Sequence, residues 1–251
     1  MEKGFSIIIG GQRCGSTYLL NSLLKSAKFV PSLSLRPEPK WFLNTQNTEK
    51  NVSEYINEVF GINLEINKTE LKKTYLEKST SYFVNQHVIP RISSLIPDVK
   101  IVLILRNPVE RLISHWRFST ANKLETLSLN QVLELPFDSR EFKNHKISSN
   151  PFNYVSDSIY INHIEPWISR FHQVKIVFLE ELSSNVEILQ DLFEYLEAPI
   201  DDINMNQIWP GVVVNSTSGP KVSSETISRL EKFFRPYNLE LSDLLNRKLP
   251  F

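Results

Sequence analysis

Cysteine and surplus charge are both scarce in this sequence, and their scarcity narrows what the chain can do. Cys14 is the single cysteine, so no disulfide can form within the chain, and no Cys/His cluster has metal-ligand spacing. The 28 Lys and Arg residues are balanced by 28 Asp and Glu residues. The chain therefore lacks the overall basic field that attracts nucleic acid or an anionic membrane, and any anion site must be local.

Long apolar runs are absent as well. No stretch approaches the roughly 20 apolar residues that span a membrane, and the first residues have strand-like sequence instead of a signal peptide. With a single cysteine, these features predict a soluble cytoplasmic protein in a reducing compartment. The 251 residues, 41% hydrophobic and 22% charged, predict one domain with a full-sized core over residues 1–251.

A glycine-rich loop near the amino terminus is the most informative stretch. Residues 7–20 read IIIGGQRCGSTYLL: a β-branched apolar run, a turn-forming segment, and the start of a helical leucine pattern. This predicts a strand, a tight loop and a helix running to about residue 28. Such a loop directs backbone N–H groups and a positive helix end to one point, which favours phosphate or sulfate binding. The candidate anion-binding residues are Gly11, Gln12, Arg13, Cys14, Gly15, Ser16 and Thr17.

The loop differs informatively from the P-loop pattern GxxxxGK[ST]. Gly10 and Gly15 have the required separation and Thr17 is the expected hydroxyl, but Ser16 occupies the lysine position. The pattern therefore fits an anion cradle without the triphosphate and magnesium chemistry of P-loop enzymes. An ordinary glycine turn between a strand and a helix is the alternative reading of the loop alone.

A carboxylate between two prolines characterises residues 35–42, LRPEPKWF. The prolines exclude a helix interior around Glu38 and hold it on an extended backbone. The neighbouring Trp41 and Phe42 can shield the carboxylate from water, which favours a general base. An exposed loop charge is the alternative that this segment leaves open.

Two later segments predict strands that deliver basic residues to the edge where open α/β sheets bind ligands. Residues 74–83 alternate and end in hydroxyls, with Lys78 at the carboxyl end of the strand. Residues 101–105 are continuously apolar, which is typical of a central parallel strand, and Arg106 follows them.

A helix is predicted directly after Arg106. Asn107 is its cap and Pro108 lies in its first turn, which places Ser114 two turns into the helix on a face near Arg106. Arginine and serine together offer donors for a phosphate. A surface ion pair is the alternative role for Arg106.

The remaining pattern alternates helices with strands and predicts a three-layer α/β/α domain with a mostly parallel sheet. Another buried strand is predicted over residues 173–179, and a final pair of helices is predicted over residues 225–234 and 239–246. Between them, a polar turn contains Ser218, Gly219 and Lys221, which either close over a nucleotide or form a plain surface loop.

In this order, the segments resemble sulfotransferases that use 3'-phosphoadenosine 5'-phosphosulfate (PAPS), closest to the branch of heparan sulfate sulfotransferases and their bacterial relatives. Residues 10–17 resemble the 5'-phosphosulfate loop, residues 106–114 the 3'-phosphate motif, and residues 38–42 the base-bearing segment. Residues 77–83 resemble the Glu-Lys-(Thr/Ser)-x-x-Tyr-Phe strand, and residues 233–238 a recurrent carboxyl-terminal segment. Arg13 stands where most of that branch has lysine.

The resemblance implies transfer of a sulfuryl group from PAPS to a hydroxyl or amine of a small-molecule or short glycan acceptor, without a metal. It implies Glu38 as general base, with Arg13 and Lys78 stabilising the transferred group. The loop, Arg106 and Ser114 would hold PAPS and the product PAP, with help from Ser218, Gly219 and Lys221. Trp41 and His87 are candidates on the acceptor side.

Two other functions remain open at this point. A P-loop kinase would need magnesium and the lysine that Ser16 replaces, and a non-catalytic nucleotide-binding module would keep the anion sites without a working base. Cys14 near a helix start is also compatible with a reactive thiol, although the loop needs a small residue there and no histidine partner is evident. No nucleic-acid or membrane partner is expected, and the oligomeric state stays open.

Overall fold

A parallel β-sheet forms the centre of the fold. The computed structural model describes residues 4–63, 73–137, 139–142, 149–198 and 219–251. Within them the strands pair in the order β2-β3-β1-β4-β5, and every pairing is parallel. The strands are β1 (Gly4–Gly10), β2 (Phe29–Pro31), β3 (Thr74–Lys78), β4 (Lys100–Leu105) and β5 (Val174–Phe178).

Helices flank this sheet and give the predicted three-layer α/β/α architecture. In the described part of the chain they are α1 (Ser16–Leu23), α2 (Val52–Phe60), α3 (Ile89–Leu95), α4 (Pro108–Ala121), α5 (Leu129–Glu134), α6 (Ile161–Arg170), α7 (Leu179–Ser184), α8 (Val186–Tyr195) and α9 (Ser224–Leu244). Among these described helices, none combines the length and the apolar character needed to cross a bilayer.

The central strands are buried on both faces, as their continuous apolar runs predict. Ile7, Ile8 and Ile9 of β1 are at most 1% exposed, and residues 101–105 of β4 are 0% exposed. Burial of each such side chain contributes about 1.5–3 kcal/mol of transfer free energy. A second apolar cluster joins α4, α5 and α9 around residues such as Trp116 and Phe234. Helix α4, which follows β4, is therefore packed against α5 and α9 through this cluster.

The strand order creates a crevice at one edge of the sheet. The chain adds β2 and β3 on one side of β1, and then adds β4 and β5 on the other side. The direction of winding therefore reverses between β1 and β4, and open α/β sheets bind ligands at the carboxyl ends of the strands at such a point. The glycine-rich loop leaves β1 there and Arg106 follows β4 there.

Of two predicted boundaries near the site, one is wrong and one is confirmed. The first helix ends at Leu23 instead of about residue 28, because residues 24–28 form turns that lead into β2. The strand predicted within residues 74–83 ends at Lys78, which is the residue predicted at its carboxyl end. Ser79 N–H then donates to Ile8 O, and residues 80–82 form a 3-10 turn. All five residues of this strand are buried instead of alternating, because a parallel sheet between helical layers is covered on both of its faces.

The predicted pair of final helices is a single helix. Helix α9 runs through Pro236 without ending, although proline removes one backbone donor from a helix. Phe234 before the proline and Leu241 after it are both buried, at 0% and 1% exposure. Packing of both halves against the domain therefore outweighs the local cost of the proline.

Candidate active site

The glycines of the amino-terminal loop are required by its geometry. Gly10 has a φ of 140°, and a Cβ there would lie 2.0 Å from the carbonyl oxygen of Ile104 on the neighbouring strand. Gly15 has a φ of 88°, and a Cβ there would lie 2.6 Å from Leu179 Cδ1. Gly15 is also the N-cap of α1 and supplies no side-chain cap. Since the first N–H groups of a helix lack intrahelical partners, this end of α1 is suited to bind an anion.

Arg13 occupies an uncommon backbone conformation within this loop. Cys14 N–H donates to Gly11 O at 3.2 Å, and Arg13, at the third position of this turn, has a φ of 73°. Glycine or asparagine usually fills that position, because a left-handed conformation costs other residues about 1–2 kcal/mol. The conformation sends the Arg13 side chain to α4, where Nε donates to Ser114 Oγ at 3.2 Å and the guanidinium lies 4.8 Å from the Phe118 ring centroid.

Three guanidinium groups surround the loop. Arg106 donates from Nη1 to the carbonyl oxygen of Arg13 at 3.5 Å, and from Nη2 to Glu110 at 3.1 Å. Arg36 donates from Nη2 to Thr17 Oγ1 at 3.3 Å. Burial, and then the positive charges of Arg106 and Arg36, lower the pKa of Arg13. This concentration of positive charge in a chain of zero formal net charge is the electrostatic signature of a local anion site.

A fourth arginine, for which the sequence analysis predicted no role, contacts the loop from the buried side. Arg111 is 0% exposed, and its Nε donates to the carbonyl oxygen of Gln12 at 3.1 Å. It therefore ties the loop to α4. Its other acceptors are Tyr154 O at 3.0 Å, Ser158 Oγ at 3.0 Å, His115 Nδ1 at 3.1 Å and Asp157 Oδ2 at 3.3 Å.

His115 is buried beside this arginine, and both conditions keep its imidazole neutral. Arginine only donates, so His115 Nδ1 must accept the hydrogen bond. Burial, and then the charge of Arg111, hold the pKa of His115 well below its ordinary value. His115 thus contributes to the support of the loop.

Glu38 contacts residues at the carboxyl end of β3. Its Oε1 lies 2.8 Å from Lys78 Nζ, and the side chains are 14% and 5% exposed. Thr80 N–H donates to Glu38 Oε2 at 2.9 Å, and Thr80 Oγ1 lies 3.0 Å from both carboxylate oxygens. The predicted base and the predicted cation are therefore in direct contact. Thr80, which the sequence did not single out, completes the anchor with two donors.

The Cys14 thiol faces the protein interior. Cys14 is 0% exposed, and its Sγ lies 3.6 Å from Tyr160 OH. Burial raises the pKa of the thiol to about 11. Since the thiolate is the nucleophilic form, a reactive thiol at neutral pH is not supported. A Cβ on Gly11 would lie 2.8 Å from Cys14 Sγ, which confirms that the loop packs tightly here.

The two candidates for acceptor contact lie in different surroundings. Trp41 is 6% exposed, its indole Nε1 donates to Glu58 Oε2 at 2.8 Å, and its ring packs on Phe42 and Tyr55. Little of the indole is thus available to an acceptor. His87 is exposed in the turn before α3, and within the described residues no hydrogen bond or ion pair joins it to Glu38 or Lys78.

The carboxyl-terminal segment packs against the same helix as the loop. Arg117 on α4 donates from Nη2 to Pro220 O at 3.0 Å, and a Cβ on Gly219 would lie 2.8 Å from Arg117 Cγ. Gly219 and Lys221 are exposed there, and Ser218 lies outside the described residues. Across the described ranges, no group of three or more His, Cys, Asp and Glu residues is placed to hold a metal ion.

Comparison with known proteins places this geometry in a family. A human heparan sulfate glucosamine 3-O-sulfotransferase 3B1 is 28% identical over 191 residues, covering 66% of this chain and 46% of that protein. The chain spans about half the length of relatives of this kind.

Two solved structures have the same fold. A sulfotransferase from Alicyclobacillus acidocaldarius superposes with a TM-score of 0.72 and 19% identity, covering 99% of this chain and 98% of that chain. The mouse sulfotransferase SULT7A1, solved with PAP, gives 0.57 and 13% identity, covering 97% and 86%. The model of the sulfotransferase domain matches residues 5–238, and the chain therefore belongs to the sulfotransferase family.

Proposed function

We propose that this protein transfers a sulfuryl group from PAPS to a hydroxyl or amine of a small-molecule or short glycan acceptor. The observation that carries the proposal is that two sites lie at the same edge of the sheet, at the carboxyl ends of adjacent parallel strands. An arginine-lined loop follows β1, and the Glu38–Lys78 pair follows the adjacent β3. The mouse sulfotransferase named above was solved with PAP, and the human relative is named for heparan sulfate glucosamine, which supports this donor and a glycan hydroxyl.

The donor would lie along the loop and α4. The amides at the start of α1, with Ser16 and Thr17, would hold the 5'-phosphosulfate. Arg106 and Ser114 would bind the 3'-phosphate, because arginine matches a phosphate with two parallel donors and serine adds another. Gly219 and Lys221 are exposed beside α4 and would extend this end of the donor site.

The transfer itself requires few covalent roles from the protein. The acceptor oxygen or nitrogen attacks sulfur, the bond from sulfur to the 5'-phosphate oxygen breaks, and PAP leaves with the bonding electrons. Glu38 would take the acceptor proton, a role worth about 100- to 10,000-fold in rate. Arg13 and Lys78 would stabilise the charge on the sulfuryl and leaving oxygens, so that positioning and electrostatics supply most of the catalysis.

A kinase activity is the rival proposal for a loop of this kind. The lysine that reaches the outer phosphates of a nucleoside triphosphate is replaced by Ser16, which is only 8% exposed. The 3'-phosphate contacts expected from Arg106 and Ser114 would be unused by ATP. Turnover without a divalent metal and a cytoplasmic location stay predictions.

The test is a direct comparison of donors. Purified protein is incubated with sulfur-labelled PAPS, or with magnesium and phosphorus-labelled ATP, and a panel of glycans, phenols, alcohols and amines. The proposal predicts labelled acceptor from PAPS, unchanged by a chelator, and none from ATP. Transfer from ATP alone would establish a kinase, and tight PAP binding without any transfer would favour a non-catalytic nucleotide-binding module.

A further inference from the structure

A buried carboxylate lies one residue before Lys78. Glu77 is 0% exposed and receives three hydroxyl donors. Its partners are Tyr55 OH at 2.5 Å, Ser79 Oγ at 2.6 Å and Tyr82 OH at 2.7 Å. Burial of a carboxylate costs free energy unless hydrogen-bond donors satisfy it. The three hydroxyls supply those donors to Glu77. Nothing in the transfer chemistry described above uses it.

Two of the three hydroxyls continue to the segment that carries Glu38, residues 38–42, here called the base segment. Lys40 N–H donates to Ser79 Oγ at 3.0 Å, and Phe42 N–H donates to Tyr82 OH at 3.2 Å. Each hydroxyl therefore donates a hydrogen bond to Glu77 and accepts one from a backbone amide. Glu77 is the common acceptor that orients both hydroxyls.

The protonation states suit this arrangement. Burial raises the pKa of Glu77, while hydrogen bonds from the three hydroxyls oppose that rise. Burial, and then the charge of Glu77, hold the pKa values of Tyr55 and Tyr82 well above their ordinary range. Both phenols thus remain protonated, and their oxygens remain oriented as acceptors for any neighbouring amide.

The base segment needs such support. Lys40 has a φ of 53°, a left-handed conformation that costs a residue other than glycine about 1–2 kcal/mol. Its amide is the one that Ser79 holds, two residues from Glu38. The carboxylate of Glu38 is fixed separately by Lys78 and Thr80. Its backbone, however, lies in an irregular segment, and the two amide contacts are what tie that segment to the end of β3.

We propose that Glu77 is a positioning residue that fixes the base segment through the hydroxyls of Ser79 and Tyr82, and so sets the place of Glu38 relative to the donor. This inference rests on the proposed function, because there Glu38 takes the acceptor proton. A misplacement of about 1 Å in a catalytic group can cost 100-fold in rate, so the expected effect is on turnover.

Tyr55 offers the matched control. It donates to the same Glu77 carboxylate from α2, but within the described residues its hydroxyl makes no hydrogen bond to the base segment. Tyr55→Phe and Tyr82→Phe each remove one hydroxyl from Glu77 and keep the aromatic ring. If the cluster served stability alone, the two variants would lose stability and turnover together. If Glu77 has a positioning role, both variants lose stability, but only Tyr82→Phe also loses turnover.

The experiment compares Tyr82→Phe, Ser79→Ala and Tyr55→Phe with the wild-type chain. Backbone amide exchange at Lys40 and Phe42, kcat, KM for PAPS and urea unfolding are measured for each. Tyr82→Phe and Ser79→Ala are expected to lower kcat about 10- to 100-fold, with KM for PAPS within about threefold. Tyr82→Phe should speed exchange at Phe42, and Ser79→Ala should speed it at Lys40. Tyr55→Phe should destabilise comparably and keep kcat within about threefold.

Two results would overturn the inference. One is that Tyr55→Phe and Tyr82→Phe lose kcat equally, in proportion to the stability that each loses. The other is unchanged protection of the Lys40 and Phe42 amides in the Ser79→Ala and Tyr82→Phe variants. Amide exchange needs no activity, so it tests the positioning even if the wild-type chain fails to transfer sulfate. In that case the proposed function fails while the backbone contacts are still tested.

Discussion

Lys78 Nζ lies 2.8 Å from Glu38 Oε1, and these two side chains are only 5% and 14% exposed. Loss of one partner from a pair this buried leaves the other charge poorly compensated. The pair lies at the carboxyl end of β3, next to β1, so a carboxylate and a cation stand together at the sheet edge where the loop begins. In the proposed reaction the carboxylate takes the acceptor proton, while the cation faces the transferred group.

Substitution Glu38→Gln tests the base. The amide keeps the side-chain volume but cannot take the acceptor proton, so kcat for sulfuryl transfer should fall about 100- to 10,000-fold. PAP affinity should change little, because the proposed donor contacts lie on the loop and α4. Glu54→Gln is the control, since Glu54 is exposed in the capping box of α2 and glutamine also suits that position. Transfer at the wild-type rate by Glu38→Gln would mean that another group takes the proton.

Substitution Arg13→Gly tests the role of the Arg13 guanidinium. Glycine relieves the left-handed strain at φ 73°, and the entropy that it adds to the unfolded chain offsets part of the gain. Glycine also removes the hydrogen bond to Ser114 and the contact with the Phe118 ring. We therefore expect a stability within about 1 kcal/mol of wild type in urea unfolding, together with a fall of about 100-fold in kcat/KM for PAPS. Weaker PAPS binding with unchanged kcat would show that Arg13 anchors the donor without helping the leaving group.

Lys123→Gly provides the comparison for Arg13→Gly. Lys123 is exposed just after α4 and also has a positive φ, 58°. Its glycine variant should gain up to about 1 kcal/mol in stability and keep a normal kcat/KM. Equal loss of activity in both glycine variants would trace the effect to backbone loosening and not to the Arg13 guanidinium.

His115 should make stability depend on pH in a defined direction. Its pKa is depressed in the folded protein, so only the unfolded chain gains a proton as the pH falls below about 6.5. The stability is therefore full above that pH and is lost below it, by about 1.4 kcal/mol per pH unit for one proton. His115→Asn keeps an acceptor for Arg111 and removes the titration. Parallel pH dependences of wild type and variant between pH 6.5 and 5 would contradict the buried neutral imidazole.

Cys14 should be unreactive in the native protein. With a pKa of about 11, the thiol is almost fully protonated at pH 7.5, and it is buried against Tyr160. Iodoacetamide should modify the native chain far more slowly than the urea-unfolded chain, and mass spectrometry reads the result directly because there is one cysteine. Cys14→Ala should retain sulfuryl transfer. Rapid native labelling with loss of transfer would reopen a thiol mechanism.

Local sequence signals predicted the parts of the fold that depend on local chemistry. The apolar run at residues 101–105 is the buried central strand, and Asn107 caps α4 by accepting from the Val109 and Glu110 amides. The order of glycines at residues 10–15 predicted the strand, loop and helix start. Each of these depends on residues that are close in the sequence.

Contacts between distant segments were beyond such reasoning. Arg13 and Ser114 are 101 positions apart, and Arg111 and Gln12 are 99 apart, so no spacing rule joins them. Arg36 lies two residues before Glu38, but its approach to Thr17 follows from the return of the chain across the sheet edge. Tertiary packing likewise carried α9 through Pro236, where local propensity predicted an interruption.

The central claim is that Arg106 and Ser114 recognise a 3'-phosphate, and calorimetric titration with PAP and 5'-AMP tests it most directly. The two nucleotides differ only in that phosphate. Wild type should bind PAP far more tightly than 5'-AMP, and Arg106→Ala should lose about 100-fold in PAP affinity, equivalent to about 2.7 kcal/mol, with little effect on 5'-AMP. Arg229→Ala, an exposed arginine of α9, should behave as wild type. Equal affinity of the wild-type protein for PAP and 5'-AMP would contradict the account.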